Sequence, residues 1–483
     1  MNGQRPSFLK SEDWWAVILG CFIFVLGLGA SFKADLLGWA VCPDMWVDVA
    51  KSIKPVSAGF GSLCAVHALL LTYLFLTCVT GFGAWIMGAN VGRYALGFTI
   101  IFVLTYLCVI VGNHAFIAAN KPTELVKYNL SWSLRLTDEA GLILALAVGL
   151  IIGNFIPALS RLVNVATKPE WFIKTAIVLL GAEIGVKAAG QLQLAKTIIV
   201  LGLCSIIVAY LIYWAMVYYI ARRFFGFSRE WAAPLASGIS ICGVSAAIAT
   251  GGAIRARPVV PIMVSSLVVV FAVIELIILP FAAQGFLYKE PMVAAAWMGL
   301  AVKTDGGAIA SGAITEGLIY SKALKAQGVE YEKEFMQMAT TTIKVFIDVF
   351  IGVWAFILAI IWCKYIDHKP GEQVRAREIW DRFPKFVLGY IGLFLLLLFV
   401  CLLAPSFVAK AKLMTAETSV FRKLFFALTF LAIGLVSDFK RLWQEGIGRL
   451  MAVYVLCLFG FIIWIALGVS WLFFHGIMPP TIR

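Results

Sequence analysis

The chain has 483 residues, of which 62% are apolar and only 13% are charged, and its formal net charge is +13. Soluble proteins carry about 25% charged residues, and so few charges cannot cover a soluble globule of this size. The composition excludes a soluble enzyme, a nucleic-acid-binding domain and a disordered scaffold. It predicts an all-α polytopic membrane protein, whose basic loops meet anionic lipid head groups rather than nucleic acid.

The N-terminal part, residues 1–137, is predicted to contain about three spans and an interfacial stretch. Its first apolar run is longer than the apolar core of a signal peptide, and more runs follow, so we expect a retained anchor. Residues 33–57 mix tryptophan and lysine, which is typical of the membrane interface. The three apolar runs of this part are 14–32, 59–80 and 92–113.

Residues 138–474 are predicted to form a transporter core, followed by a short tail at 475–483. With the first three, its hydrophobic segments make about thirteen. Lys and Arg divide evenly between the two sides if all segments cross, so the orientation of the N-terminus stays open. The core segments are 138–156, 172–190, 195–221, 231–253, 259–283, 292–318, 337–363, 384–404, 422–437 and 447–474.

A weak internal sequence similarity, here called the echo, relates residues 179–187 to residues 432–440. Each stretch ends one apolar segment and is followed by a long one. Internal repeats of inverted topology are a feature of transporter folds. The echo therefore favours two repeats, although two apolar helices also resemble each other by chance.

The segment at 234–246 gathers Gly, Ser and Cys inside an apolar run. Membrane helices tolerate such breaks where the freed backbone groups find partners or line a wet cavity. Free N–H groups and helix N-terminal ends can bind an anion, and serine hydroxyls can donate to it. Tight helix packing through small residues explains the pattern equally well. The candidate substrate-binding residues here are Ser237, Gly238, Ser240, Cys242, Gly243 and Ser245.

The segment at 299–312 places two charged residues, Lys303 and Asp305, deep in an apolar run. A charge at a helix centre costs about 2.5–3.5 kcal/mol on insertion scales, so these side chains must face protein or water. Gly306 and Gly307 allow the backbone to unwind beside them. We expect Lys303, Thr304, Gly306 and Gly307 to bind substrate; the alternative is a short loop near the interface.

Four further charged residues are candidates for coupling or gating, together with Asp305. Lys344 and Asp348 are four residues apart on a predicted helix and can pair, either as a structural pair or as a gate. Glu183 and Glu275 can carry a proton, or can hydrogen-bond a neighbouring helix. No metal-ligand spacing, catalytic triad or ATP-site motif is evident, so we expect no enzyme activity, metal or cofactor, apart from a coupling Na⁺ or H⁺.

The stretch Ser240-Ile241-Cys242-Gly243-Val244-Ser245-Ala246 resembles the Ser-Ile-Cys-Gly-Ala-Ser-Ala signature of the bacterial sulfate exporter family, whose members are described as conserved hypothetical membrane proteins. Further likenesses lie at 179–185, 299–312, 386–390 and 432–435, so the resemblance covers about 138–474. Lys303 stands where relatives usually carry His, and Gly307 where they carry Gln. A permanent cation there can change the substrate or the coupling ion.

The resemblance implies a fold similar to that of the bile-acid, arsenite and riboflavin transporter group. It implies inverted repeats, two broken helices that cross near the midplane, and a location in the bacterial plasma (inner) membrane. We therefore expect a secondary active transporter, an exporter of a small anion such as sulfate or an organic sulfonate, with a homodimer as one possible assembly. The alternatives are a sodium-coupled importer of an organic acid and, more remotely, a membrane enzyme or a channel.

Overall fold

A computed structural model describes residues 10–32, 34–119, 122–134, 140–257, 259–366, 384–437 and 448–482. Within these ranges the chain is almost entirely helical, and its two strands form a short antiparallel hairpin, β1 (Val41–Pro43) with β2 (Ile53–Pro55). The helices are α1 (Glu12–Ser31), α2 (Ala65–Ile86), α3 (Val91–Gly112), α4 (Ala115–Ala118), α5 (Pro122–Lys127), α6 (Ala140–Phe155), α7 (Pro157–Val163), α8 (Pro169–Gly190), α9 (Leu192–Arg223), α10 (Arg229–Ser240), α11 (Val244–Ala253), α12 (Val259–Phe286), α13 (Pro291–Ala301), α14 (Asp305–Gln327), α15 (Phe335–Ile361), α16 (Phe386–Leu403), α17 (Val408–Val436), α18 (Gly448–Cys457) and α19 (Ile463–Phe474).

The predicted membrane architecture is confirmed, but the predicted number of thirteen segments is not. Among the described residues, nine helices are long and apolar enough to cross a bilayer, or ten if the bent pair at 140–166 counts as one span. The segments at 231–253 and 292–318 are each split into two shorter helices. The segment predicted at 422–437 is the second half of a longer helix, α17. Most of the predicted link 364–383 lies outside the described residues.

The chain divides into two compact units. Unit 1 contains residues 1–195 and 385–437, and unit 2 contains residues 196–384 and 438–483. The N-terminal helix α1 packs against α8, α16 and α17 inside unit 1. It is fixed there by Asp13, whose carboxylate accepts hydrogen bonds from the Lys174 ammonium at 2.9 Å and the Lys385 backbone N–H at 3.1 Å.

Unit 1 contains the two stretches of the sequence echo, in α8 and α17. Gly181 of α8 packs against the backbone of Tyr390 in α16, and Gly434 of α17 packs against Leu146 and Gly149 in α6. A Cβ atom on Gly434 would lie 2.6 Å from the Leu146 carbonyl oxygen. The echo aligns these two glycines, and both are places where helix backbones touch, as expected for two structural repeats. Residues 438–440 of the echo lie outside the described residues.

Unit 2 contains both of the helices that the sequence predicts to be broken. Along the chain, the broken helix α10–α11 comes first and is followed by the intact helix α12. The broken helix α13–α14 comes next and is followed by the intact helix α15. Helix α12 packs against α14, and α15 packs against α11, so each intact helix contacts both broken ones. This cross-packing brings the two breaks into one core.

Candidate functional site

The first break lies at Ile241–Gly243, between α10 and α11. Ile241 leaves the helical conformation with φ −104° and ψ −99°, and Gly243 has φ +65°. A positive φ of this kind is accessible to glycine and strained for residues with a Cβ atom. The Ser-Ile-Cys-Gly sequence therefore ends one half-helix and begins the next, as the glycine and serine content of the segment predicts.

The second break lies at Val302–Thr304, between α13 and α14. Val302 and Thr304 are extended, with ψ 127° and 150°. The Thr304 side chain caps α14 by accepting the Gly307 backbone N–H at 3.1 Å. Asp305 occupies the first turn of α14, where a negative charge is favoured by the helix dipole. Thr304 and Asp305 therefore stabilise the start of α14 themselves.

The two breaks touch each other. A Cβ atom on Gly243 would lie 3.0 Å from the backbone carbonyl oxygen of Lys303. The ammonium of Lys344, from α15, lies between the breaks and donates to carbonyl oxygens on both sides. The acceptors are Ile241 at 3.1 Å, Val302 at 3.3 Å and Lys303 at 3.4 Å. Carbonyl groups freed at the C-terminal end of a helix need partners, and one lysine supplies them for both half-helices.

The predicted pair between Lys344 and Asp348 is not the ion pair that forms. The Lys344 ammonium lies 3.9 Å from Asp305, and both side chains are almost fully buried. The carbonyl oxygens of the two breaks draw the ammonium away from its own helix neighbour. Spacing along α15 allowed the Lys344–Asp348 pair, but the cross-helix contacts determined the partner.

Asp348 belongs to a different cluster, with Cys242 of the first break and Asp305 of α14. One ligand-type atom from each of these three buried residues lies within 4.8 Å of the others. The Asp348 carboxyl has the Cys242 thiol and the Asp305 carboxyl as its hydrogen-bonding neighbours, and no stronger donor among the described residues binds it. A fully buried carboxyl group with only a weak thiol donor and a second carboxyl beside it is unfavourable as an anion. Binding of a proton or a cation would therefore stabilise the Asp348 carboxylate.

Lys303 is also buried in unit 2, and its ammonium is held at the end of α13. Its ammonium donates to the Leu300 carbonyl oxygen at 2.6 Å and lies 4.6 Å from the centre of the Tyr213 ring. Its backbone N–H donates to Glu275 at 2.9 Å, which explains the deep acid on α12. Sequence reasoning missed Tyr213, because a tyrosine in an apolar helix carries no signal of its own.

The predicted unpaired amides are largely occupied. The backbone N–H of Ile241 donates to Ser237 and that of Gly243 to Gly238, while Lys303 and Gly307 donate to side chains as described. The half-helices overlap closely enough to satisfy these amides within the protein. An anion at the breaks would therefore depend mainly on side-chain donors.

The three candidate serines have different surroundings. Ser237 accepts hydrogen bonds from the Trp214 indole at 3.0 Å and the Thr250 hydroxyl at 2.7 Å, so it joins three helices. The Ser240 hydroxyl is buried and has no partner among the described residues. The side chain of Ser245 lies outside the described part of the chain.

Glu183 belongs to unit 1 and is not part of the cluster in unit 2. Its carboxylate pairs with the Arg422 guanidinium of α17 at 2.9 Å, and both side chains are largely buried. This contact between neighbouring helices agrees with the structural alternative considered for Glu183. The structure brings together Lys303, Asp305, Lys344, Asp348 and Glu275 within unit 2 and leaves Glu183 apart.

Comparison with known proteins identifies relatives across the whole chain. A family model described as conserved hypothetical protein 698 matches residues 102–453. The chain is 43% identical to the UPF0324 membrane protein of Nitrosomonas europaea over 481 residues, which cover 98% of this chain and 97% of that protein. The N-terminal spans, which the sequence resemblance treats as additions, are therefore shared with this relative.

Two further relatives match part or most of the chain. An uncharacterized protein of Archaeoglobus fulgidus is 46% identical over 170 residues, which cover 31% of this chain and 91% of that protein. The UPF0324 membrane protein of Rhodopirellula baltica is 27% identical over 463 residues, which cover 93% of this chain and 74% of that protein. No solved structure matches the chain.

Proposed function

We propose that the chain, which belongs to the conserved hypothetical protein 698 family of integral membrane proteins, is a secondary active transporter of a small anion. Its solute would be sulfate or an organic sulfonate, exported across the bacterial inner membrane by alternating access around the two breaks. Sodium-coupled import of an organic acid is the alternative, and it differs in direction and in ion dependence.

One observation carries this proposal: two interrupted helices meet inside unit 2, and charged side chains are buried where they meet. Two lysines, Lys303 and Lys344, and three acids, Glu275, Asp305 and Asp348, are each at most 4% exposed. Ionisable residues inside membrane segments are costly and mark ion or substrate pathways. Irregular backbone at membrane depth is tolerated where protein or a water-filled cavity surrounds it. Both features together support transport over a purely structural membrane domain.

Three side-chain donors in unit 2 fit an oxyanion. The Lys303 ammonium has further N–H groups besides the one donated to Leu300. The hydroxyl groups of Tyr213 and Ser240 are buried and have no partner among the described residues. Charge-assisted hydrogen bonds from an ammonium to an oxyanion are stronger than neutral ones. We therefore assign Lys303, Tyr213 and Ser240 as the groups that replace the water shell of the anion.

The excess of acids over lysines supports coupling to a cation. An anion that enters beside three carboxylates meets repulsion unless a proton or a cation enters with it. Export of an anion by a secondary transporter also needs an ion gradient as its energy source. Asp305 and Asp348, which cluster with Cys242 of the first break, are the proposed coupling residues.

The test uses the full-length protein reconstituted into liposomes, with exchange of radiolabelled sulfate and of taurine as the measured activity. Lys303→Met is compared with Lys325→Met, because Lys325 is an exposed lysine of α14, the half-helix that follows Lys303. We expect loss of exchange by about tenfold or more in the first variant, equivalent to at least 1.4 kcal/mol of lost binding, and wild-type exchange in the second. Unchanged exchange in Lys303→Met removes Lys303 from the site.

The solute class is tested by thermal unfolding of the purified protein. A ligand that binds the native state raises the unfolding midpoint by mass action. Sulfate, taurine, sulfoacetate and a bile acid are compared at equal ionic strength. A rise with sulfate or the sulfonates supports the proposal. A rise with the bile acid alone, or no response to any of the four together with no exchange, overturns it.

A further inference from the structure

The position of Lys344 is that of a coordinated cation. Its ammonium is held by three backbone carbonyl oxygens from two half-helices, at 3.1–3.4 Å, with the Asp305 carboxylate 3.9 Å away. Lys344 is only 1% exposed. The ammonium therefore interacts mainly with protein oxygen atoms, as a desolvated metal ion would.

Such a set of oxygens is a general way to bind Na⁺ in a membrane protein. Carbonyl groups at the C-terminal end of a half-helix carry partial negative charge, and unwound backbone carbonyls in broken helices coordinate Na⁺ or H⁺ in transporters. The two breaks supply three carbonyl oxygens, and Asp305 supplies a carboxylate. These are the ligands expected for Na⁺, yet an ammonium that is covalently part of α15 holds the position.

We propose that Lys344 is a tethered cation that takes the place of a bound Na⁺ between the two breaks, so that this chain does not use Na⁺ as its coupling ion. The inference rests on the proposed transport function. It decides between Na⁺ and a proton as the coupling ion. A cation fixed to α15 stabilises the crossing of the breaks but cannot be carried across the membrane. The ion that moves with the anion must then bind elsewhere.

Asp305, Asp348 and Lys303 lie around Lys344 between the two breaks. They determine which cation can take the place of the Lys344 ammonium. Asp305 from α14 is its ion-pair partner, and Asp348, one turn further along α15, joins Asp305 and Cys242 of the first break in the buried cluster. Lys303 contributes its backbone carbonyl, while its own ammonium is held at Leu300. Removing the Lys344 ammonium takes away the cation that interacts with three carbonyl oxygens and with the Asp305 carboxylate. A free Na⁺ fits that vacancy in charge and in ligand type.

The experiment measures thermal unfolding of the full-length protein in NaCl and in choline chloride at equal ionic strength. For the wild type we expect midpoints that agree within about 1 °C, because the Lys344 ammonium already fills the site between the breaks. For Lys344→Met we expect a lower midpoint in choline and a rise of about 3 °C or more with NaCl, because Na⁺ then binds the native state alone. Lys344→Arg is the matched control; it keeps the cation and should not respond to Na⁺.

A sodium-specific rise in the wild type overturns the proposal, and so does a folded Lys344→Met variant that ignores Na⁺. If Lys344→Met does not fold, equilibrium binding of radioactive Na⁺ to the wild type decides: saturable binding contradicts a tethered cation, and its absence supports one. None of these measurements requires transport. A sodium-dependent rise in the unfolding midpoint of Lys344→Met therefore supports the tethered cation even if the protein does not exchange anions. If that rise is absent, the tethered cation is wrong, and the anion-exchange assay still tests the transport function.

Discussion

Gly243 of the first break lies directly against the backbone of Lys303 in the second, so that a methyl group on the glycine would be 3.0 Å from the Lys303 carbonyl oxygen. This contact joins two segments that are sixty residues apart in sequence. It also explains why a single lysine from a third helix, Lys344, reaches carbonyl groups of both. The arrangement of the whole cluster depends on this close approach.

The Gly243→Ala variant should therefore be strongly destabilised. Its φ of +65° is unfavourable for alanine, and the added Cβ would also collide with Val268. We expect a loss of about 2 kcal/mol or more in the free energy of unfolding, measured by thermal or denaturant unfolding in detergent. Gly392→Ala is the control, since that helical glycine faces open space and alanine there should change stability by less than about 1 kcal/mol. Equal effects of the two variants would contradict the close contact.

The two serines of the first broken helix should separate into different roles. Ser237→Ala removes an acceptor from Trp214 and Thr250 and should lower stability by about 1 kcal/mol, with the KM for the anion unchanged. Ser240→Ala removes a buried hydroxyl without a partner among the described residues and should raise KM up to about tenfold, with little change in the unfolding midpoint. The measurements are thermal unfolding and concentration-dependent exchange in liposomes. A reversed pattern would show that Ser240 is the packing residue.

Asp348→Asn should uncouple transport from the proton gradient. The carboxyl group is buried beside only the weak thiol donor of Cys242 and the Asp305 carboxyl, and asparagine keeps its size but cannot gain or lose a proton at accessible pH. We expect anion exchange at equal pH on both sides to persist, while accumulation driven by a pH gradient disappears. An internal pH dye and radiolabelled sulfate measure the two fluxes in one preparation. Asp48→Asn, at an exposed carboxylate, is the control, and gradient-driven accumulation retained in Asp348→Asn would exclude this carboxyl as the proton carrier.

The Glu183–Arg422 pair should matter for stability rather than for coupling. The side chains are 14% and 4% exposed and lie 2.9 Å apart, and removal of one partner from a buried pair costs about 3–5 kcal/mol. Arg422→Met is therefore expected to unfold at a clearly lower temperature than the wild type. The double variant Arg422→Met with Glu183→Gln should recover part of that loss, because the Glu183 charge that lost its Arg422 partner is removed as well. An effect of Glu183→Gln on ion dependence, without an effect on stability, would instead restore Glu183 as a coupling residue.

Much of this architecture could be predicted from local sequence, and the predicted breaks show why. Glycine and polar residues in the middle of an apolar run interrupt a helix wherever they stand, so 231–253 and 292–318 were recognisable as special segments. The echo between Gly181 and Gly434 was also visible in sequence, but it became meaningful only when both glycines proved to be contacts between helix backbones. A short similarity between two apolar stretches carries little information until the contacts of the matching residues in the structure are known.

The partners of the charged residues could not be predicted in the same way. Helical spacing allowed Lys344 to pair with Asp348, whereas the ammonium is held by Ile241, Val302 and Lys303. These acceptors are backbone carbonyl groups, which every residue carries and which no sequence pattern distinguishes. Their availability depends on where two half-helices end in space.

The sequence by itself determined that this is a helical membrane protein, where its helices break, and which charged residues lie inside apolar segments, because hydropathy and glycine content act through neighbours along the chain. Only the tertiary structure decided that Glu183 belongs to a structural pair in unit 1, that Ser237 packs between helices, and that Lys344 joins the two breaks. Long-range contacts set those roles, since the strength of a buried charge interaction depends on which groups the fold places within a few ångströms of it.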